Sequence, residues 1–353
     1  MVEDNGMDVA FVWSNIRRPV GGAEHFLIDF LNYIKSSRPP VSVSVYDVNE
    51  GMALIRELNN YDVVVMYSLN ETLPLIPLIR VPMLLDVQSP DWLWYLREKV
   101  YHVNLSWKTK LKRLWIKMIG RSIHCRVLNI FDYETLGVYC RKAFLIPELI
   151  DTKTFKPTRP KSDTEFTILI RYDPSFKWGF DIFLKALTSL GISKWLNVII
   201  FGRDPPQQTL NIISKHVNSV TSLGRLPRDS LVDIYSSVHA TVIPSRFESF
   251  SIIAIESLAC GTPIIMSRLP ATLWYLKEID RAKPGTGLSF KPGDPIELAQ
   301  KIKFIHELWL NKNEIYLRSV SASRKIALRF DTSRIAPKYL NTIFTISKTY
   351  KER

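Results

Sequence analysis

The chain has 353 residues, 46% hydrophobic and 23% charged, which is enough length for two ordinary domains and excludes a disordered or fibrous protein. Its formal net charge of +13 points to an anionic partner, a basic proteome, or no particular cause. Three cysteines without CxxC spacing argue against disulfides and zinc, and with no run of eighteen apolar residues and an acidic start, MVEDNGMDVAFVW, a cytoplasmic protein is expected.

The first half alternates strand-like and helix-like segments. VAFVW at 9–13 predicts a strand, 22–34 a helix, VSVSVYDV at 41–48 a strand, 51–59 a helix and DVVVMYS a further strand. RVPMLLDVQ and VLNI at 127–130 complete the rhythm of a parallel sheet with crossover helices. After the first strand, Gly21 and Gly22 open a helix, where backbone N–H groups can meet an anion or simply make a turn. From Arg97 to Arg126 nine Lys or Arg stand against one acidic residue, interleaved with Trp107, Leu111, Leu114, Trp115, Met118 and Ile119. That spacing over residues 107–126 predicts a basic amphipathic helix. It would lie on an anionic membrane surface or dock its apolar stripe on its own domain.

A Pro- and Lys-rich stretch at 154–165 lacks apolar periodicity and predicts an interdomain linker. The domains are expected at 1–155 and 156–330, with 331–353 as a closing helix. Beyond the linker the alternation resumes: FTILIRY, GFDIFLKALTSL, LNVIIFG, LNIISKHV, SVTSLG, RDSLVDIYSSV and ATVIP read strand, helix, strand, helix, strand, helix, strand. RFESFSIIAIESLACGTP then predicts a short helix, startable by Ser249 or Ser251 and stopped by Gly261 and Pro263. Its apolar residues cover most of the circumference, which leaves Glu256 on the little surface remaining and Glu248 in the loop over the N-terminus. The two glutamates are either a cap and a surface residue or parts of a ligand site.

Other loops at strand ends carry chemistry suited to phosphate. Arg171 and Lys177 in IRYDPSFKWGFD could converge on a diphosphate or stand solvated, and FGRDPP with Gly202 and LGRLP with Arg225 and Leu226 add two glycine-bearing loops. Together with the helix N-terminus they favour a nucleotide site in an α/β chain of two Rossmann-like, doubly wound parallel sheets.

Taken in order, RYDPSFK, FGRDP, and SLGRLPRDSLVDIYSSVHATVIPSRFESFSIIAIESLACGTPII resemble the donor-binding domain of retaining glycosyltransferases of the GT-B fold, family 4. GGAEHFLIDFL at 21–31 is similar to that family's N-terminal glycine loop, and RFDTSRIAPKYLNTIF to its closing segment, which crosses back to the first domain. The resemblance implies two such domains facing a cleft and a sugar moved from a nucleotide diphosphate sugar, with anomeric retention and without metal or other cofactor. Arg171 and Lys177 would neutralise the diphosphate, Glu248 would contact the donor sugar and Glu256 the ribose. Backbone N–H groups of Phe250, Ser251 and Ile252 would meet the distal phosphate, and residues 224–226 would border the base. A glycan, lipid-linked or other acceptor would sit on the first domain, where Asp86, Gln88 and Asp91 are the polar candidates. The sequence departs from the family pattern at Ile170, Ser249 and Ser251, where glycines are common, and at Trp178, interposed between Lys177 and Gly179. Two other classes compete: a nucleotide-sugar-binding protein without turnover, and a basic nucleic-acid-binding protein, disfavoured because no helix-turn-helix, zinc finger or RNA-binding signature occurs.

Overall fold

The computed structural model describes residues 6–13, 22–48, 50, 54–67, 75–87, 107, 114, 118, 120–311 and 314–351. They divide into one unit of 1–149 with 332–353 and a second of 150–331.

The first unit holds β1 (Met7–Trp13), α1 (Gly22–Ser37), β2 (Val41–Asp47), α2 (Leu54–Leu58), β3 (Val63–Tyr67), β4 (Met83–Asp86), β5 (His124–Val127), α3 (Ile130–Leu136) and β6 (Lys142–Leu145). Its strands form one parallel sheet in the order β2-β1-β3-β4-β5-β6. Val63, Val64, Val65 and Met66 are all buried, so the β-branched run in β3 reflects cover on both faces of the sheet. The last helix of the chain, Thr332–Lys351, belongs to this unit and sets Tyr339 edge-on to Phe26 and Phe30 of α1, at 5.1 and 5.0 Å between ring centroids.

The second unit holds β7 (Phe166–Tyr172), α4 (Phe180–Leu190), β8 (Ser193–Gly202), α5 (Gln207–His216), β9 (Val217–Ser222), α6 (Leu231–Ser237), β10 (Ala240–Ile243), α7 (Ile252–Ala259), β11 (Ile264–Ser267), β12 (Gly287–Phe290), α8 (Pro295–Leu310) and α9 (Glu314–Ala327). The chain's closing helix, already placed in the first unit, is α10. The second sheet is also parallel, with order β12-β11-β10-β7-β8-β9. Connection direction therefore reverses between β7 and β10, and in such sheets the loops leaving the two strands part there and open a crevice. The α/β fold of two parallel-sheet domains is the one expected.

Several readings need correction. Cys125 and Cys140 form a disulfide, with 6.0 Å between their Cα atoms. The bridge ties β5 to the turn after α3, a proximity created by the β5–α3–β6 crossover and not signalled by cysteine spacing. The fifth strand ends at Val127 and does not run over 127–130, because Asn129 accepts from the Asp132 N–H and starts α3. The basic stretch does not run as helix to Arg126. Residues 120–122 form a 3-10 turn, and Arg126 lies inside the sheet with no exposure. Trp107, Leu114 and Met118 are helical and exposed, at 68%, 54% and 71%, and the rest of 101–119 lies outside the described residues. Among the described residues no helix is long and apolar enough to cross a membrane.

Candidate active site

Four chain segments meet at the carboxyl ends of β7 and β10. Arg171 is the penultimate residue of β7, and a 3-10 turn over Phe176–Trp178 carries Lys177 back to the strand end. Gly179 makes that return possible: its φ is +65°, and a Cβ there would lie 2.0 Å from the Pro244 carbonyl oxygen. The turn is locked to the loop after β10 on both backbone and side chain. The Arg246 N–H donates to the Lys177 carbonyl at 2.8 Å, and the Arg246 guanidinium makes two 2.7 Å bonds to Asp181 and one to the Phe176 carbonyl.

Arg171 and Lys177 converge on one indole. The Arg171 Cζ lies 4.1 Å and the Lys177 Nζ 4.3 Å from the Trp178 ring centroid. Burial pushes the Arg171 guanidinium down from its ordinary value, against the pull of Asp173 and Glu248. Burial would likewise raise Asp173, yet the Ser175 N–H at 3.0 Å, Arg171 and Arg203 hold its carboxyl below the usual range. Gly202, at φ +105°, lets the β8 end approach the Tyr172 carbonyl, which a Cβ would meet at 2.6 Å. Its N–H donates to the Gly224 carbonyl, so the FGRDPP and LGRLP loops join. Arg225 is exposed and Leu226 half-buried beside them.

Glu248 is buried in the loop before α7 and accepts from the Ser245 hydroxyl at 3.0 Å. Burial raises its pKa, and the Lys177 and Arg171 charges pull it back down, so the carboxylate and both cations share one electrostatic neighbourhood. Ser251 occupies the cap position of α7 without making a side-chain cap bond. Its φ is +71°, rare for a residue with a Cβ, and its Oγ is buried with no hydrogen-bond partner. Phe250 is pinned by the Tyr275 hydroxyl, which donates to its carbonyl, and Ile252 opens the helix half-buried.

Glu256 is not the surface residue expected. It is 3% exposed, and its two oxygens accept from Arg228 Nε at 2.6 Å and the Tyr235 hydroxyl at 3.0 Å. α7 packs against α6 as well as the sheet, which turns Glu256 inward. The LGRLPRDS segment supplies Arg228 as a counter-ion that sequence reasoning passed over, although an Arg just after a glycine loop was the available signal.

In the first unit, Asp86 is no acceptor-side candidate. Arg126 Nη1 binds both its oxygens at 3.0 and 2.8 Å, the Tyr339 hydroxyl donates to it, and none of its side chain is exposed. Gln88, Asp91 and Gly21 lie outside the described residues, and Gly22 starts α1. Strand order in this sheet reverses between β1 and β3, and there Trp13 and Tyr67 stack at 4.2 Å and 13°, a pair the alternation pattern gave no means of singling out.

Residues 167–307 match the family model described as "Glycosyl transferases group 1". Among curated relatives, a D-inositol 3-phosphate glycosyltransferase of Acidothermus cellulolyticus is 46% identical over 44 residues, 12% of this chain and 10% of that protein. An MMP alpha-(1->4)-mannosyltransferase of Mycolicibacterium hassiacum is 28% identical over 131 residues, 36% of this chain and 31% of that protein. The matches therefore span between a tenth and a third of those relatives. Among solved structures, sucrose-phosphate synthase from Thermosynechococcus elongatus superposes with a TM-score of 0.78 at 16% identity, over 97% of this chain and 100% of that one. HepE of Anabaena, solved with UDP and glucose, gives 0.73 at 16% identity, over 96% and 100%. The fold is thus that of GT-B proteins, and the match to the glycosyl transferases group 1 model lies within the second unit.

Proposed function

We propose that the protein is a glycosyltransferase that moves a sugar from a nucleotide diphosphate sugar to an acceptor, with retention of anomeric configuration and without metal. The observation that carries this is the gathering of Arg171, Lys177 and Glu248 around the N-terminus of α7, at the crevice where the second sheet reverses direction. Relatives bearing transferase names and a neighbour solved with UDP and glucose support it.

Cleavage of the sugar–phosphate bond leaves negative charge on the departing diphosphate, and charge placed to receive it lowers the barrier. Two cations, the free N–H groups of Phe250, Ser251 and Ile252 and the α7 dipole would perform that service. The Ser251 hydroxyl, buried and unpartnered at the cap, has a proton to donate to a phosphate oxygen. Glu248 would accept hydroxyl groups of the donor sugar; burial raises its pKa, and Lys177, the Ser245 hydroxyl and Arg171 oppose that rise. Glu256 would reach the ribose only with the lone pairs that Arg228 and Tyr235 leave available. The loop around Gly224, Arg225 and Leu226 would border the base. The first unit would hold a glycan or lipid-linked acceptor, and the exposed Trp107, Leu114 and Met118, in a stretch of sequence rich in lysine and arginine, would bring the enzyme to an anionic membrane surface.

Calorimetry with UDP-, GDP- and ADP-sugars, followed by transfer assays with the donor that binds, tests the reading. Lys177→Ala and Arg171→Ala should each lower kcat/KM by about 2 to 4 kcal/mol of transition-state stabilisation while melting near wild type. Donor binding without transfer to any acceptor or to water would favour the non-catalytic alternative, and full activity of both variants would remove the diphosphate assignment.

A further inference from the structure

We infer that the first unit binds a small organic phosphate in a cavity that shares no residue with the candidate active site. The cavity has a volume of about 330 Å³ and is walled by the segments that enter β4, β5 and β6 and by the last turns of α10. Pro82 and Met83, Ser122 and His124, and Arg141 stand at or just before the first residues of those three strands. It therefore lies at the amino ends of the first sheet, whereas α/β proteins build their nucleotide crevices at the carboxyl ends.

The charge around it has one sign. Arg80 and Arg141 line the cavity, and among the described residues no carboxylate does. Arg141 is half-buried, its Nη2 is buried with no hydrogen-bond partner, and among the described residues neither guanidinium pairs with an acid. A guanidinium stays charged at any pH the protein meets, so an enclosed one without a partner carries a desolvation cost that an anion would relieve. Its planar fork matches phosphate oxygens, and two forks suit a dianion better than a single carboxylate. The partial negative charge at the end of α10 opposes an anion, and two full positive charges outweigh it. Ile76, Pro82 and Ile346 supply apolar wall, against which the organic part of the ligand would lie. Both arginines are held by their backbones, which leaves the side chains for the ligand. The Arg141 N–H donates to the Ile123 carbonyl at 2.8 Å, the Cys125–Cys140 bridge ties the residue before it to β5, and the Tyr350 hydroxyl donates to the Arg80 carbonyl at 2.5 Å.

The probe is phenyl phosphate, with inorganic phosphate and phenol as its two halves, measured on the full chain by calorimetry and thermal melting at constant ionic strength. Phenyl phosphate should bind and raise the melting temperature, and each half should bind at least about 10-fold more weakly. Arg141→Gln should weaken phenyl phosphate binding roughly 10- to 100-fold, and Arg80→Gln, at an exposed position, about 3-fold. Because the Arg141 side chain bonds to nothing else among the described residues, Arg141→Gln should melt no lower than wild type without the probe. If that variant fails to fold, Arg141→Lys, which keeps the charge and loses the fork, takes its place and should weaken binding about 5-fold. Binding should survive Arg171→Ala combined with Lys177→Ala, whose charges belong to the other site. Wild type that does not bind phenyl phosphate, or binds inorganic phosphate as tightly, would overturn the inference. So would unchanged affinity in the Arg141 variant, or affinity lost only with Arg171 and Lys177.

Discussion

Removing the Glu256 carboxylate would strand Arg228, whose Nε donates to it at 2.6 Å and whose side chain is only 12% exposed. Breaking one partner of so buried a pair costs about 3 to 5 kcal/mol, so Glu256→Ala should lower the melting temperature markedly as well as weaken nucleoside diphosphate binding. Glu248 is different in kind. Its burial is opposed in part by two cations and a serine hydroxyl, so Glu248→Ala should change stability little and lower kcat further than it raises KM. Melting curves and steady-state kinetics on the pair separate these outcomes, and a Glu248 variant with wild-type kcat would remove that residue from the sugar site. The sequence placed Glu248 in the loop before α7 and Glu256 within the helix, because helix stop signals are local, but apolar spacing put Glu256 on a surface where it is in fact buried. It could not place Arg228 beside Glu256, because a salt bridge between segments that far apart leaves no periodic trace.

At the scale of elements, α3 is held by two features that respond to solution conditions. The Cys125–Cys140 bridge closes over it at a sequence separation of 15, a loop for which chain-entropy arguments give about 3 kcal/mol. Replacing both cysteines with serine, or reducing the wild type, should lower stability by that order, and melting with and without reductant should differ in the wild type alone. Asp132 in the first turn of α3 is the second feature. Burial pushes its carboxyl up to about 7, opposed by the Asn129 amide that donates to it at 2.7 Å. A folded-state value raised above the ordinary carboxylate range means the native protein holds a proton that the unfolded chain has released. Stability is therefore lost as pH rises from about 4 to 7, at roughly 1.4 kcal/mol per pH unit. His239, which burial lowers to about 4, works in the opposite sense over an overlapping range, so the difference between Asp132→Asn and wild type is the diagnostic. The variant should gain on wild type steadily over that window, and parallel pH profiles would show that the carboxyl titrates normally. Most strands here were legible from β-branched runs. β6, β11 and β12, each of four residues, were not read.

For the molecule as a whole, Trp107, Leu114 and Met118 are exposed helical positions, spaced in the sequence as an apolar row on one helix face would be, in a segment rich in lysine and arginine. Such a row should carry the protein down with anionic vesicles at low salt, and salt should release it. Leu114→Glu with Met118→Glu should abolish the pelleting; equal binding to neutral vesicles, or none to either kind, would leave a soluble acceptor favoured. The sequence alone determined the class of fold, because alternating strand and helix periods over both halves admit little but parallel sheets with crossovers. It also determined which loops carry cations, glycines and carboxylates, since those are matters of residue type and local turn chemistry. Tertiary structure alone decided what each charge faces. Asp86 was one polar residue among three until β4, β5 and α10 closed around it with Arg126 and Tyr339. Trp178 was an interruption in a motif until a glycine turn set it against both Arg171 and Lys177. Electrostatic partnership depends on distance and burial, and both arise only when segments remote in sequence pack together.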